Sequence, residues 1–229
     1  MTASHAPDEA GGQQPETGLR ADAERNRDRL LAAARRLFAR AGLGVSMASV
    51  AREAGVGKAT LSRRFASREE LINAVFADRM DAYAAAATAA LADPDPWHGF
   101  TGYIHAVCAM QAADRGFADV LTMTFPAAKA LEARRAEAYH GFLQLIGRAK
   151  DSGHLRSDFT SQDLVILLMA NAGVVSATGD AAPDTGRRLV AHVLRSYATP
   201  GTPLPPLPDA PAPTALYRAM VRLGRSGTP

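Results

Sequence analysis

The sequence predicts an all-α protein: a three-helix head of helix-turn-helix type, joined by a long helix to a helical body. Three observations predict it. The 229-residue chain is rich in Ala, Leu and Arg and lacks the β-branched and aromatic runs that strands favour. Apolar residues recur at helical spacing through most of its length. Residues 46–65, SMASVAREAGVGKATLSRRF, hold two short helical patterns around a tight turn. A chain of this length buries a substantial core as one or two domains.

Taken in order, residues 1–22 are rich in Gly, Gln, Ala and acids and are expected to form a disordered N-terminal arm. The head spans residues 23–67. Its first helix covers 27–43, with Leu30, Leu31, Ala34, Leu37, Phe38 and Ala41 on one face and Arg25, Arg29, Arg36 and Arg40 opposite. Gly42 and Gly44 end it. In the next two helices Val50 and Leu61 point inward, Ala51 is small where the helices approach, Gly55 takes the turn, and Val56 closes the underside. Ser67-Arg68-Glu69-Glu70 forms a capping box that opens a helix over 68–92, and Asp93-Pro94-Asp95-Pro96 breaks it. The body, residues 68–199, continues with helices near 97–113, 117–124, 126–152, 161–177 and 184–198. Residues 200–229 form a Pro-rich tail: an extended, mobile linker over 200–213 and a short helix near 214–223.

Charge is placed unevenly. The whole chain carries a formal +3, but residues 23–70 hold eleven Lys or Arg against five acids, a net +6, while residues 71–229 are balanced. The excess lies on the helix-turn-helix, where a polyanionic partner requires it. Cys108 is the single cysteine, so no intrachain disulfide is possible and a reducing cytoplasm is expected. It reads first as a buried core residue and second as a redox sensor. The first twenty residues lack the pattern of a signal peptide, and no apolar run reaches membrane-spanning length without charge or Gly, so no membrane partner is expected. There is no Gly-x-Ser-x-Gly elbow, phosphate-binding glycine loop or HExxH. The six histidines show no tight Cys/His grouping, His98 and His105 lying seven apart. An enzyme, a metal site and a cofactor are therefore not expected.

The run LLAAARRLFARAGL, the Ser46 helix start, Val50-Ala51, Ala54-Gly55-Val56, Thr60-Leu61, Phe65 and SREEL together resemble the head of the TetR family of bacterial regulators. The resemblance covers about residues 24–75. It departs where Ser62 replaces the usual aromatic, most often tyrosine, where Arg64 replaces His or Tyr, and where Gly57 replaces a frequent serine. The tyrosine supports phosphate contact in the family, and Arg63 and Arg64 offer charge in its place.

The motif assigns roles by position. Lys58, Thr60 and Arg63 project from the recognition helix toward base edges, where Lys or Arg donates to guanine and a Thr methyl meets thymine. Ser46, Ser62, Arg64 and Arg68 are expected at phosphates. Arg25 and Arg27 either reach the DNA backbone or an adjacent groove, or are solvated charges. In the body, Trp97, Phe100, Tyr103, Ile104, Val107, Met110, Phe117, Leu121, Met123, Phe125, Phe142 and Ile146 are candidates to line a cavity for a small apolar effector, with His105, His140 and Asn171 orienting it. The same stripe at helical spacing also reads as plain core.

The stretch 161–177 is apolar almost all round and is expected to be buried on several sides. Its small residues Ala170, Ala172, Gly173 and Ala177, with Leu189, Val190, Val193 and Leu194 of 184–198, suit either a homodimer surface or the monomer core. In proteins that resemble this one, the last two body helices build a dimer bundle. The resemblance thus implies a homodimeric, ligand-responsive regulator, most often a repressor, that binds a pseudo-palindromic double-stranded DNA operator and is released by a small molecule. The alternative is a helical small-molecule-binding protein with a degenerate, non-specific DNA-binding head.

Overall fold

The computed structural model describes residues 14–226. Within them ten α-helices form: α1 Gln14–Ala41, α2 Met47–Glu53, α3 Lys58–Arg64, α4 Arg68–Leu91, α5 Pro96–Ala113, α6 Arg115–Thr122, α7 Lys129–Asp151, α8 Ser161–Thr178, α9 Thr185–Tyr197 and α10 Pro213–Ser226, with a 3-10 turn at Gly179–Ala181 after α8. No strand forms among the described residues.

The head is built as its spacing requires. Leu30, Phe38, Val50, Leu61 and Phe65 are buried together. Gly42 ends α1 with φ +71, and Gly55 turns the chain from α2 to α3 with φ +67, a region that only glycine enters without strain. Ser46 caps α2 by accepting the Ser49 N–H at 3.1 Å. At the start of α4 the Ser67 hydroxyl accepts the Glu70 N–H at 3.1 Å, and the Glu70 carboxylate reaches back to the Ala66 N–H at 2.7 Å. One terminal donor of the helix, the Glu70 N–H, and the Ala66 N–H just before the cap are satisfied in this way.

One core runs on from the head into the body. Phe38 of α1, Phe76 of α4 and Phe117 of α6 form a ladder of rings 6.1 and 6.2 Å apart. Gly116 lets α6 approach α1 closely: a Cβ there would lie 2.8 Å from the Phe38 Cβ. Asp95 caps α5, accepting the Trp97 and His98 N–H groups, with Pro96 at the first helical position. Asp114 caps α6 and pairs with Arg79 at 3.3 Å.

Three sequence expectations change. Residues 14–22 lie in α1 rather than in a disordered arm. The packed face of 30–41 fixes the helix, and after Pro15 no proline interrupts its extension upstream. Residues 1–13 of that arm lie outside the described residues. Residues 201–212 are extended, as their prolines dictate, but they are tied down along α9. Arg195 Nη2 donates to the Pro205 carbonyl at 2.6 Å, the Arg188 guanidinium donates to the Pro208 carbonyl, and Leu204 packs against the core. α10 is held as well: Ala219 is buried, and Arg222 donates to the carbonyls of Ala177 and Thr178 at the C-terminus of α8, the end that attracts a cation.

The third change concerns α8, which within a single chain is buried on one face only. Leu164, Leu167 and Leu168 point inward, and Asn171 donates to the Gln111 carboxamide oxygen at 2.8 Å. Gln111 in turn donates to the Leu168 carbonyl at 2.9 Å. Val165, Ile166 and Met169 face outward, Ile166 being 62 % exposed and Met169 55 %. By length and composition residues 161–181 match a membrane span. Their inward face is instead knitted into α5, which is how a core helix packs.

Candidate nucleic-acid interface and effector cavity

α3 presents opposite chemistry on its two sides. Leu61 is buried against α2, while Lys58, Ser62 and Arg63 are exposed and Thr60 and Arg64 are half-buried. The structure thus places Lys58, Thr60, Ser62, Arg63 and Arg64 on one short helix. Ser46 sits exposed at the start of α2. Among the described residues no acid pairs with Lys58, Arg63 or Arg64, whereas Arg36 pairs with Glu53 at 3.1 Å, Arg35 with Asp78 and Arg25 with Asp22. Unpaired cations on an exposed helix are what a phosphate-lined groove attracts.

Arg68, expected at a phosphate, and Arg27, left open between DNA and solvent, also make contacts within the fold. Arg68 Nη1 donates to the Val45 carbonyl at 2.6 Å, and its guanidinium lies 6.0 Å from the Phe38 ring centroid. It therefore holds the start of α4 against the loop before α2. Arg27 lies 6.0 Å from the Phe65 ring centroid. Neither role was legible, because each partner is remote in sequence.

In the body, a cavity of about 290 Å³ opens between α4, α6, α7 and α8. Leu121 and Phe142 of the expected lining face it, with Tyr83, Arg135, Tyr139 and Leu164. Arg135 and Tyr139 are one helical turn apart on α7, a polar pair at the helical repeat that sequence reading missed. Arg135 Nη2 donates to the Val120 carbonyl at 2.6 Å, and Glu132 accepts the Phe125 N–H at 2.8 Å, so α7 clasps the end of α6. Burial raises the Tyr83 phenol above its ordinary range, so the group stays neutral.

Much of the remaining expected lining packs into core. Phe100, Tyr103, Ile104, Val107 and Phe117 are buried, and Phe100 and Tyr103 both stack on Phe142, at 6.1 and 5.3 Å. Met110 packs against the same core, and Phe125 and Ile146 are buried in it. Met123 is exposed, and so is His140, whose ring nitrogen bonds to the Ala136 carbonyl. Trp97 and His105 face a different cavity, beside α9. The buried Tyr103 hydroxyl has no hydrogen-bond partner among the described residues. Burial pushes the Cys108 thiol up to about 12, so it is an inert thiol at neutral pH.

Comparison with known proteins gives consistent results. The family model described as bacterial regulatory proteins, tetR family, matches residues 30–75. That described as transcriptional regulator SbtR-like, C-terminal domain, matches residues 95–195. No curated protein sequence matches the chain significantly. Among solved structures, a TetR-family transcriptional regulator from Agrobacterium tumefaciens is 18% identical with a TM-score of 0.57, covering 77% of this chain and 100% of its own, a likeness of fold. A TetR transcriptional regulator from Streptomyces coelicolor is 28% identical, covers 76% of this chain and 99% of its own, and has a TM-score of 0.49.

Proposed function

The chain belongs to the TetR family of bacterial regulatory proteins, and from that premise we propose that it is a cytoplasmic, dimeric repressor released from its operator by a small, largely apolar effector. The observation that carries the DNA-binding part is α3: its inner side is locked into the head, and its outer side offers Lys58 and Arg63 without an acidic partner among the described residues. In a dimer each subunit lays this helix in one half of a pseudo-palindrome, with Lys58, Thr60 and Arg63 at base edges and Ser46, Ser62 and Arg64 at phosphates. The outward strip of Val165, Ile166 and Met169 on α8 supports pairing with a second copy, since such a strip is costly in water.

The cavity beneath α6 is the proposed effector site. Leu121 of α6 lines it, and Asp119 two residues earlier bonds to the head through the Leu43 N–H. An effector that displaces α6 thereby moves the head. The effector need only bind the two arrangements unequally: a coupling of ~1–3 kcal/mol changes operator affinity several-fold to about a hundredfold.

The test is a gel-shift titration of the full chain with the promoter fragment beside its own gene. Retention that survives excess random competitor and weakens as salt rises is expected. Equal retention of every fragment would favour a small-molecule-binding protein with a non-specific head.

A further inference from the structure

A second cavity, larger than the effector site and sharing no lining residue with it, is built in part from the tail. It measures about 430 Å³ and lies between α5, α9, the turn before α8 and the extended segment after α9. That size is within the range of small-molecule sites. Its walls are flat and apolar: Trp97, Leu194, Pro203 and Leu204. His154 adds a second aromatic plane, its ring 6.5 Å from that of Trp97. The His154 carbonyl accepts the Thr199 N–H at 2.9 Å, which fixes this turn to the end of α9.

The polar groups around the cavity are unequal. The Asp95 carboxylate caps α5, and the Asp93 carboxylate pairs with His98, so both acids are already engaged. Arg195 uses one N–H on the Pro205 carbonyl, and no acid among the described residues pairs with it. A guanidinium has five N–H donors. Burial, helped by the Arg187 charge, lowers the His105 imidazole below its ordinary range, so it stays neutral and offers one donor and one acceptor.

Gly102 supplies room. It lies inside α5, where glycine is about 1 kcal/mol worse than alanine. A Cβ built on it meets nothing within 4 Å. Gly102 lines the cavity, so a side chain placed there starts in open space at its wall.

We propose that this cavity is a second ligand site, distinct from the effector site, and that it binds a small aromatic carboxylate. The ring lies among Trp97, His154 and Leu204, and the carboxylate meets the Arg195 guanidinium, with His105 as a further donor. The extended segment after α9 is one wall of the site, so the tail is part of the binding machinery.

Trp97 is the only tryptophan and lines the cavity, so its fluorescence reports the site directly. The full chain is titrated with benzoate and with its neutral isostere benzamide. A saturable change with benzoate is expected, at least tenfold weaker with benzamide and in Arg195→Gln. Gly102→Leu abolishes it with helicity and melting temperature maintained. Ala136→Phe, which obstructs the other cavity, leaves it unchanged and so separates this site from the effector reading. The absence of a saturable change with benzoate, equal affinity for benzamide, or an unaltered titration in a folded Gly102→Leu chain would each overturn the proposal.

Discussion

The Asp119 carboxylate accepts the backbone N–H of Leu43 at 2.6 Å, and this bond ties α6 of the body to the residues that follow α1. Leu43 is buried, so removing the acceptor strands a donor away from water. Asp119→Ala is expected to cost about 1–3 kcal/mol of stability. Gly42→Ala is expected to be harmful too, because its φ is +71 and its Cβ would stand 2.5 Å from an Asp119 carboxylate oxygen. Urea melts of both variants check this. A parent-like midpoint for Asp119→Ala would show that the bond holds nothing.

The basic residues of the head are expected to separate into those that read DNA and those that brace the fold. Lys58→Ala and Arg63→Ala are each expected to lose ~1–3 kcal/mol of operator affinity, several-fold to about a hundredfold, with unchanged melting temperature. Arg68→Ala is expected to behave oppositely. It gives up a hydrogen bond to the Val45 carbonyl and a contact with the Phe38 ring, so the melting temperature falls by the equivalent of about 1–2 kcal/mol. Gel shifts paired with thermal melts distinguish the two groups.

Why the head was legible and the cavities were not follows from the range of the interactions. Val50 and Leu61 pack within one short head and Gly42 and Gly55 turn the chain where they stand, so their spacing carries the local geometry. A cavity is a gap between elements distant in sequence. Phe100 and Tyr103 have the same periodicity as Leu121, yet they interlock with Phe142 as core while Leu121 faces open space. No local pattern distinguishes them. The tail misled for the same reason: its prolines correctly predict extended chain, but its ties come from Arg188 and Arg195 of α9.

The outward strip of α8 yields a test of the dimer. Ile166→Glu with Met169→Glu places two charges where two exposed apolar side chains stand. The inward face, held by Asn171 and Gln111, is untouched. The double variant is expected to sediment as a folded monomer and to lose operator affinity, because one head reads too few bases. A parent chain that is itself monomeric, or a double variant that remains dimeric, would place the contact elsewhere or remove it.

Cys108 offers a test of the core by pH. Its thiol has an ordinary value of 9.0, and burial lifts it to about 12. The thiolate is the reactive form, so at pH 8 the folded chain is expected to resist a disulfide reagent that labels it at once in urea. The linkage has a definite sign. Between about pH 9 and 12 the unfolded thiol loses its proton while the folded one retains it, so folding binds the extra proton. The stability contributed is fully present below pH 9 and declines as pH rises toward 12. Tyr83, Tyr103 and Tyr197 are also raised by burial and contribute in the same direction. The difference between the parent and Cys108→Ala isolates the thiol: the variant is less stable at pH 8 by its lost packing, and the gap is expected to narrow as pH rises from 9. A gap that stays constant across that window, with rapid labelling at pH 8, would mean that the thiol is open to water.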